Sequence, residues 1–327
     1  MTRAPRLPTA LLVDLPNWVG DQMMAMPALS RLVEGNRGGE TVLHTRPSMV
    51  QFLSTVFPRT RVLASPRKAS PVSSARQLCA GGRRPEIGVT LRNSARGKIL
   101  VRLCARWCAG SRGEGAVFLL SAPCEVDRSR HQVHDADSIL ATLGMEPADP
   151  QWHLELPAGL GKTGQLDLQR LGVDQHRAIG LAPSTARGDA KRWPARRFGE
   201  LATGLSERGY EPVIVIGPGE ERVADEICSA ADCEFPIVGG ETDIAGLAAV
   251  TAGLHVLVGN DSGPMQLATR LGTPVVAIFG PTDPSRTGPL GHCQRVVCPP
   301  PSHSDCMRSI SVAEVEAAVL DVVKQRQ

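Results

Sequence analysis

The sequence predicts an α/β protein of two doubly wound, parallel-sheet domains in series, which would meet at a cleft. Three observations carry this. Short apolar runs of strand length alternate with helical apolar spacing along the chain, a pattern that builds parallel sheets with helices on both faces. The 327 residues exceed what one core usually covers, so two domains of about 150 residues each are expected. Small polar residues gather just beyond predicted strands, where open parallel sheets bind ligands.

TALLVDLP (9–16) is a buried strand running into the loop NWVGD. MMAMPALSRLVEG (23–35) has helical spacing and closes on glycine; Pro27 implies either a kink or a main helix starting near it. ETVLHTRP (40–47), RVLASP (61–66) and IGVTLRNS (87–94) read as strands. SARGKILVRLCARWCAG (94–110) reads as one amphipathic helix, with Ile99, Leu103 and Trp107 on one face and Lys98, Arg102 and Arg106 on a neighbouring stripe. HDADSILATLGM (134–145) is a helix closed by Gly144. The Pro- and Gly-rich stretch that follows is looser, with LDLQRLG a short helix inside it. The expected division is a domain over 1–155, a linker over 156–176 and a second domain over 177–327. The second series runs from the strand RAIGLAPS (177–184) through the helix 196–209, the strand EPVIVIGPG (211–219), the helix 220–231, a short strand at FPIVGGE, the helix 243–253 and the strand HVLVGND (255–261), ending in the helix 311–324.

Apolar content is 42 % and aromatic content only 3 %, so aliphatic residues must build the cores. The net charge of +3 hides an uneven distribution: from Arg59 to Arg112 the only acid is Glu86. A basic half favours an anionic partner, unless it is simply a solvated surface. No aromatic platform accompanies it, which argues against nucleic acid. Nine cysteines, with no CxxC pair, indicate a reducing compartment. Cys298 and Cys306 are candidates for a pair or a metal, with buried thiols elsewhere the plainer reading. No signal-peptide stretch and no apolar run of spanning length occur, so a cytoplasmic location is expected.

Three loops carry candidate chemistry. In GNDSG (259–263) a strand ends at Asn260-Asp261, and Ser262-Gly263 open the next helix. A helix start suits a phosphate, although Ser262 or Asp261 would serve equally as a helix cap. In APSTARGDAKRWP (182–194), Ser184, Thr185, Arg187, Lys191 and Arg192 offer hydroxyls and cations suited to a diphosphate, or form only a polar loop. In PNWVGD (16–21), Asp21 is either a helix cap or a general base. Two patterns mislead. HQVHDAD (131–137) imitates a metal-binding Asp-x-Asp but lies at a helix start, where acids favour the dipole. IGPGEE (216–221) lacks the glycine spacing of a nicotinamide site.

Together LLVDLPNWVGDQMMAMPALSRL (11–32), IGLAPSTARGDAKRWPARRFGELA (179–202), VIGPGEERVADEI (215–227) and VLVGNDSGPMQLATRLGTPVVAIFGPTDPSRTGP (256–289) resemble glycosyltransferase family 9, the bacterial ADP-heptose:lipopolysaccharide heptosyltransferases, most like the heptosyltransferase II type. The resemblance implies a GT-B architecture of two Rossmann-like domains, and an inverting, metal-independent transfer of heptose from ADP-heptose to the lipopolysaccharide inner core, with no cofactor. By that resemblance Asp21 is the general base and Lys191 contacts the diphosphate beside Ser184 and Thr185. Asp261, Ser262 and Gly263 hold the sugar and phosphates, Glu220 or Glu221 meets the ribose, and Thr282 and Asp283 lie near the donor. The family usually has histidine where this sequence has Gln266, which hydrogen-bonds but carries no charge. The acceptor implied is a phosphorylated glycolipid of the inner leaflet, with the basic helix 94–110 docking the protein peripherally on the membrane. Two alternatives stand beside this: a GT-B enzyme using or epimerising another nucleotide sugar, and a non-catalytic paralogue that binds one.

Overall fold

The computed structural model describes residues 5–80, 84–185, 188–240, 242–299 and 306–326, the side chains of Asp189 and Cys306 excepted. Arg187 and the Cys306 thiol therefore lie outside the described residues. The chain divides into two compact units, Met1–Trp152 and His153–Gln327. In the first, strands β1 (Leu11–Asp14), β2 (Thr41–Thr45), β3 (Arg61–Ala64), β4 (Ile87–Thr90), β5 (Trp107–Ser111) and β6 (Ala122–Cys124) form one sheet in the order β3-β2-β1-β4-β5-β6. In the second, β7 (Ala178–Ala182), β8 (Glu211–Ile216), β9 (Ile237–Gly239), β10 (Val256–Asn260), β11 (Val275–Ile278) and β12 (Gln294–Val297) form another, in the order β12-β11-β10-β7-β8-β9. Every pairing is parallel. Renumbered from its own first strand, the second sheet has the same order as the first, so each unit is a doubly wound Rossmann-like fold. The strand order reverses between β1 and β4 in one unit and between β7 and β10 in the other. Those switch points are where such sheets leave a crevice for ligands.

The central strands are apolar along their length because helices cover both faces. Leu11, Leu12 and Val13 of β1 and Val256, Leu257 and Val258 of β10 are almost wholly buried. In the second unit Trp193 and Phe198 meet edge to face at 4.9 Å. The Trp193 indole N–H donates to the Ile310 carbonyl at 3.0 Å, so the ring is buried without an orphan donor. The terminal helix Val312–Arg326 starts in a capping box. Glu314 accepts from the Ser311 N–H at 2.8 Å, and the Glu314 N–H donates to Ser311 Oγ at 3.3 Å. The Ser311 hydroxyl and N–H both donate to Glu314, which lowers its pKa.

Two sequence expectations are corrected. The helix expected over 94–110 ends at Cys104, and Trp107–Ser111 is strand β5. Its sequence WCAGS and that of β6, APC, lack the β-branched runs that announce a strand. Pro123 is tolerated because β6 is an edge. Lys98 does not lie on an exposed basic stripe: it is fully buried. Its Nζ donates to the carbonyls of Glu114 at 3.4 Å and Gly115 at 3.0 Å, in a turn where Glu114, Gly115 and Ala116 all have positive φ. Burial lowers the Lys98 pKa, opposed by the charge of Glu114. Arg102 is exposed, and Arg106 pairs loosely with Glu86 at 3.6 Å. The stretch expected as linker contains the helix Ala158–Arg170, in which Gly164 lies directly against the backbone of Ala249.

The buried amine makes a clear prediction. Lys98→Ala should lower the unfolding free energy by about 2–3 kcal/mol, since it removes a charged donor from two turn carbonyls. Arg102→Ala should stay within about 0.5 kcal/mol. Urea denaturation of both variants separates them, and equal effects would count against a stabilising role for the Lys98 contacts to the Glu114 and Gly115 carbonyls.

Candidate active site

The second unit's switch point gathers most of the predicted residues. β7 leads into Pro183, Ser184 and Thr185; β10 leads into Asp261, Ser262 and the helix Gly263–Leu271. Asn260, at the end of β10, ties the two loops together. Its amide donates to the Pro183 carbonyl at 2.6 Å, and its oxygen accepts from the Trp193 N–H at 3.1 Å. Gly259 is required one residue earlier, because a Cβ there would stand 2.9 Å from the Ala182 Cβ on β7.

This clamp sets Lys191 against Asp261. The ammonium reaches Asp261 Oδ2 at 2.6 Å, with side chains 18 % and 10 % exposed. Thr282 Oγ1, beyond β11, donates to the same carboxylate oxygen at 2.8 Å. Thr185 Oγ1 donates to the Gly188 carbonyl at 3.0 Å, folding the loop before Lys191.

Around this triplet stand polar atoms with no hydrogen-bond partner among the described residues. The hydroxyls of Ser184, Ser262 and Thr287 and the Gln266 carbonyl oxygen are buried and unmatched. Ser262 occupies the N-cap position of the helix Gly263–Leu271, yet its side chain makes no capping bond. The capping reading of Ser262 therefore fails here. Leaving such groups unmatched in a core costs about 1–3 kcal/mol each, so these four, on the loop after β7, at the start of the helix Gly263–Leu271 and at the end of the helix Pro284–Thr287, are candidates to meet a polar ligand or water. Gln266 donates to the Thr287 carbonyl at 2.6 Å, joining the helix start to the segment after β11.

Other predicted residues are engaged locally. Glu220 accepts from the Gly217 N–H at 2.6 Å and Glu221 from the Gly219 N–H at 3.4 Å, so both carboxylates shape the turn after β8. Asp283 caps the short helix Pro284–Thr287, accepting from the Ser285 N–H at 2.8 Å. The Ser285 side chain, then its N–H, hold the Asp283 pKa down. In the first unit, Asp21 lies in the first turn of the helix Val19–Gly35, which runs straight through Pro27. Its Oδ1 accepts from the Gln132 amide at 3.1 Å. In the misleading HQVHDAD stretch, Asp137 is held by His134 at 3.0 Å and Arg130 at 3.4 Å.

Sequence reasoning missed Asn260 as the clamp, and Thr287. It also missed a polar cluster in the first unit around Asp14 and His44. Both sit inside otherwise apolar strand runs and pair in register, β1 against β2. An ionisable residue interrupting an apolar run was the available signal.

The model for glycosyltransferase family 9 (heptosyltransferase) covers residues 74–315. This chain belongs to glycosyltransferase family 9. It is a glycosyltransferase enzyme. It is 26 % identical to lipopolysaccharide heptosyltransferase 2 of Escherichia coli K12, over 97 % of this chain and 95 % of that one. It is 24 % identical to the Salmonella typhimurium protein of the same name, over 97 % and 95 %. The solved E. coli ADP-heptose lps heptosyltransferase II superposes with a TM-score of 0.80 at 24 % identity, over 97 % of this chain and 99 % of that chain. A family 9 glycosyl transferase from Veillonella parvula gives 0.84 at 20 % identity, over 99 % of both. The GT-B fold class expected from the sequence holds.

Proposed function

We propose that this family 9 enzyme transfers heptose from ADP-heptose to the inner core of lipopolysaccharide, in a single inverting displacement that needs no metal. The observation that carries the reading is the Lys191–Asp261–Thr282 cluster among orphaned hydroxyls at the second unit's switch point. The bond from the sugar's anomeric carbon to the β-phosphate oxygen breaks, and its electron pair leaves with ADP. Lys191 and the N–H groups opening the helix Gly263–Leu271 offset that growing charge, the task a divalent cation performs in other transferases. Ser184, Thr185, Ser262 and Gln266 bind the phosphates and sugar; Glu220 or Glu221 meets the ribose. The acceptor oxygen forms the new bond, and Asp21 takes its proton. The protein works on the cytoplasmic side, peripherally on the inner leaflet that presents its glycolipid acceptor. Arg102 and Arg106, and not the buried Lys98, are available for that contact.

The test is chromatography and NMR of products from ADP-heptose, with UDP- and GDP-linked sugars in parallel, with and without a core acceptor. ADP release coupled to an inverted glycosidic bond, unaffected by chelator, is the expected result. Turnover of a UDP-sugar to its isomer without acceptor would replace the reading with epimerisation. Tight ADP-heptose binding with no turnover would point to a non-catalytic paralogue.

A further inference from the structure

The first unit sets two thiols side by side at the end of its sheet opposite the switch point. The helices Pro71–Cys79 and Ala95–Cys104 each follow a strand of one parallel sheet, β3 and β4, so both run back against the strands and end on the same side. Serines start them: Ser70 Oγ accepts from the Ser73 N–H at 3.1 Å, and Ser94 Oγ from the Gly97 N–H at 3.4 Å. Ala75 and Leu78 of the first helix share one buried cluster with Leu100, Val101 and Cys104 of the second. Cys79 and Cys104 are the last residues of the two helices, so this packing carries both to one place. Arg84 fixes the second helix end, donating to the carbonyls of Cys104 at 3.3 Å and Ala105 at 3.2 Å.

Both thiols line one cavity of about 10 Å³, where Ala10, Glu40 and Pro85 lead toward β1, β2 and β4. That is room for one water at most, so the space is no ligand pocket. There the Cys79 and Cys104 side chains come within hydrogen-bonding reach of each other, and both are free thiols. Their settings differ. Cys79 is exposed, while Cys104 is fully buried. Burial first, then the Cys79 thiol, push the Cys104 pKa up. Arg61 and Glu40 are the charged side chains lining the cavity, and the guanidinium favours a thiolate there. Cys108, the next thiol along the chain, is engaged elsewhere: its Sγ donates to the Val101 carbonyl at 3.3 Å, and burial pushes its pKa up to about 11. An accessible thiol backed by a second, resolving thiol is the arrangement that senses oxidants.

We infer that Cys79 and Cys104 form a peroxide-oxidisable dithiol, a modification site at which the exposed sulfur is oxidised and the buried one resolves it into a disulfide. The Cys79 thiolate attacks one oxygen of hydrogen peroxide. The O–O bond breaks, hydroxide leaves, and Cys79 becomes a sulfenic acid. The Cys104 sulfur then bonds to the Cys79 sulfur, the S–O bond breaks, and the Cys104 proton leaves with the departing hydroxide as water. Two thiols are oxidised to one disulfide, and one peroxide is reduced to two waters. Exchange with a thiol reductant reverses the link. Oxidation ties the two helix ends together and spares Cys79 the irreversible step to sulfinic acid.

Limited hydrogen peroxide on the reduced full chain, then alkylation, trypsin and mass spectrometry, tests it. Trypsin cuts after Arg76, Arg83, Arg102 and Arg106, so Cys79, Cys104 and Cys108 fall in separate peptides. The expected product is a linked Cys79–Cys104 peptide pair, two hydrogens lighter than its parts and released by dithiothreitol, formed about tenfold faster than any other link. In C104A the Cys79 sulfenic acid should persist and take up dimedone about tenfold more than in the wild type. C79S, which alters an exposed side chain, serves should C104A fail to fold: it should leave Cys104 an unmodified thiol under the same peroxide. Cys79 sulfenic or sulfinic acid accumulating in the wild type without the link overturns the inference. So does a link from Cys79 to Cys108, or the Cys79–Cys104 link forming as fast in urea as in the folded chain.

Discussion

Lys191→Ala should lower kcat/KM about a hundredfold to a thousandfold, the usual loss when one preorganised donor to a developing negative charge is removed. The physical case is the 2.6 Å pair with Asp261, which fixes the ammonium instead of letting it sample solvent. The substitution also strips Asp261 of its cation and leaves it only the Thr282 hydroxyl from this cluster, a stability cost of about 1–3 kcal/mol. A drop in activity alone would not separate the two effects. The double variant K191A/D261N does. If Lys191 serves only to neutralise Asp261, removing both charges restores turnover. If it stabilises the leaving diphosphate, the double variant stays as slow as K191A while regaining thermal stability. Lys191→Arg should fall between, because a planar fork cannot take the place of a compact ammonium in the same contact. Turnover by K191A within a few-fold of wild type would remove the central cation from the mechanism.

Much of this site is legible in the sequence because it follows from strand ends. A run such as HVLVGNDSG states both where a buried strand stops and which small residues begin the next helix, so the neighbourhood of Asp261 and Ser262 can be read directly. What cannot be read is which residue touches which. Nothing local says that Asn260 holds the Pro183 carbonyl and the Trp193 N–H, because the partners are 77 and 67 residues away. The basic stretch 94–110 misleads for a related reason. Its helical spacing is real only to Cys104, and Lys98 turns inward because a turn formed by residues 114–116 offers it carbonyls. Likewise β5 and β6 are strands by virtue of their neighbours in the sheet, not of their own composition. Asp14 and His44 were visible as oddities within apolar runs. Their meaning needed Arg92, brought alongside by the β1–β4 pairing.

Asp21→Asn should reduce kcat by about a hundredfold to ten-thousandfold, the range general-base catalysis contributes, with ADP affinity unchanged. The amide is close in shape to the carboxylate and keeps an oxygen to accept from Gln132, now at 3.1 Å. The fold around it should therefore persist, and the change isolates the loss of a proton acceptor. The competing account is electrostatic and purely local. Asp21 sits in the first turn of the helix Val19–Gly35, where an acid is worth about 0.3–1 kcal/mol against the helix dipole. On that account D21N loses a few degrees of thermal stability at most and turns over normally. The two accounts thus differ in turnover, slow on the first and normal on the second, while the small loss of thermal stability is common to both. Gln132→Ala sharpens the contrast. As a positioning residue its loss removes one hydrogen-bond donor from the Asp21 side chain without removing its charge, so kcat should fall far less than in D21N while KM for the acceptor rises. If Q132A were instead as slow as D21N, the amide would be needed for the chemistry alongside the carboxylate, and not merely to position it.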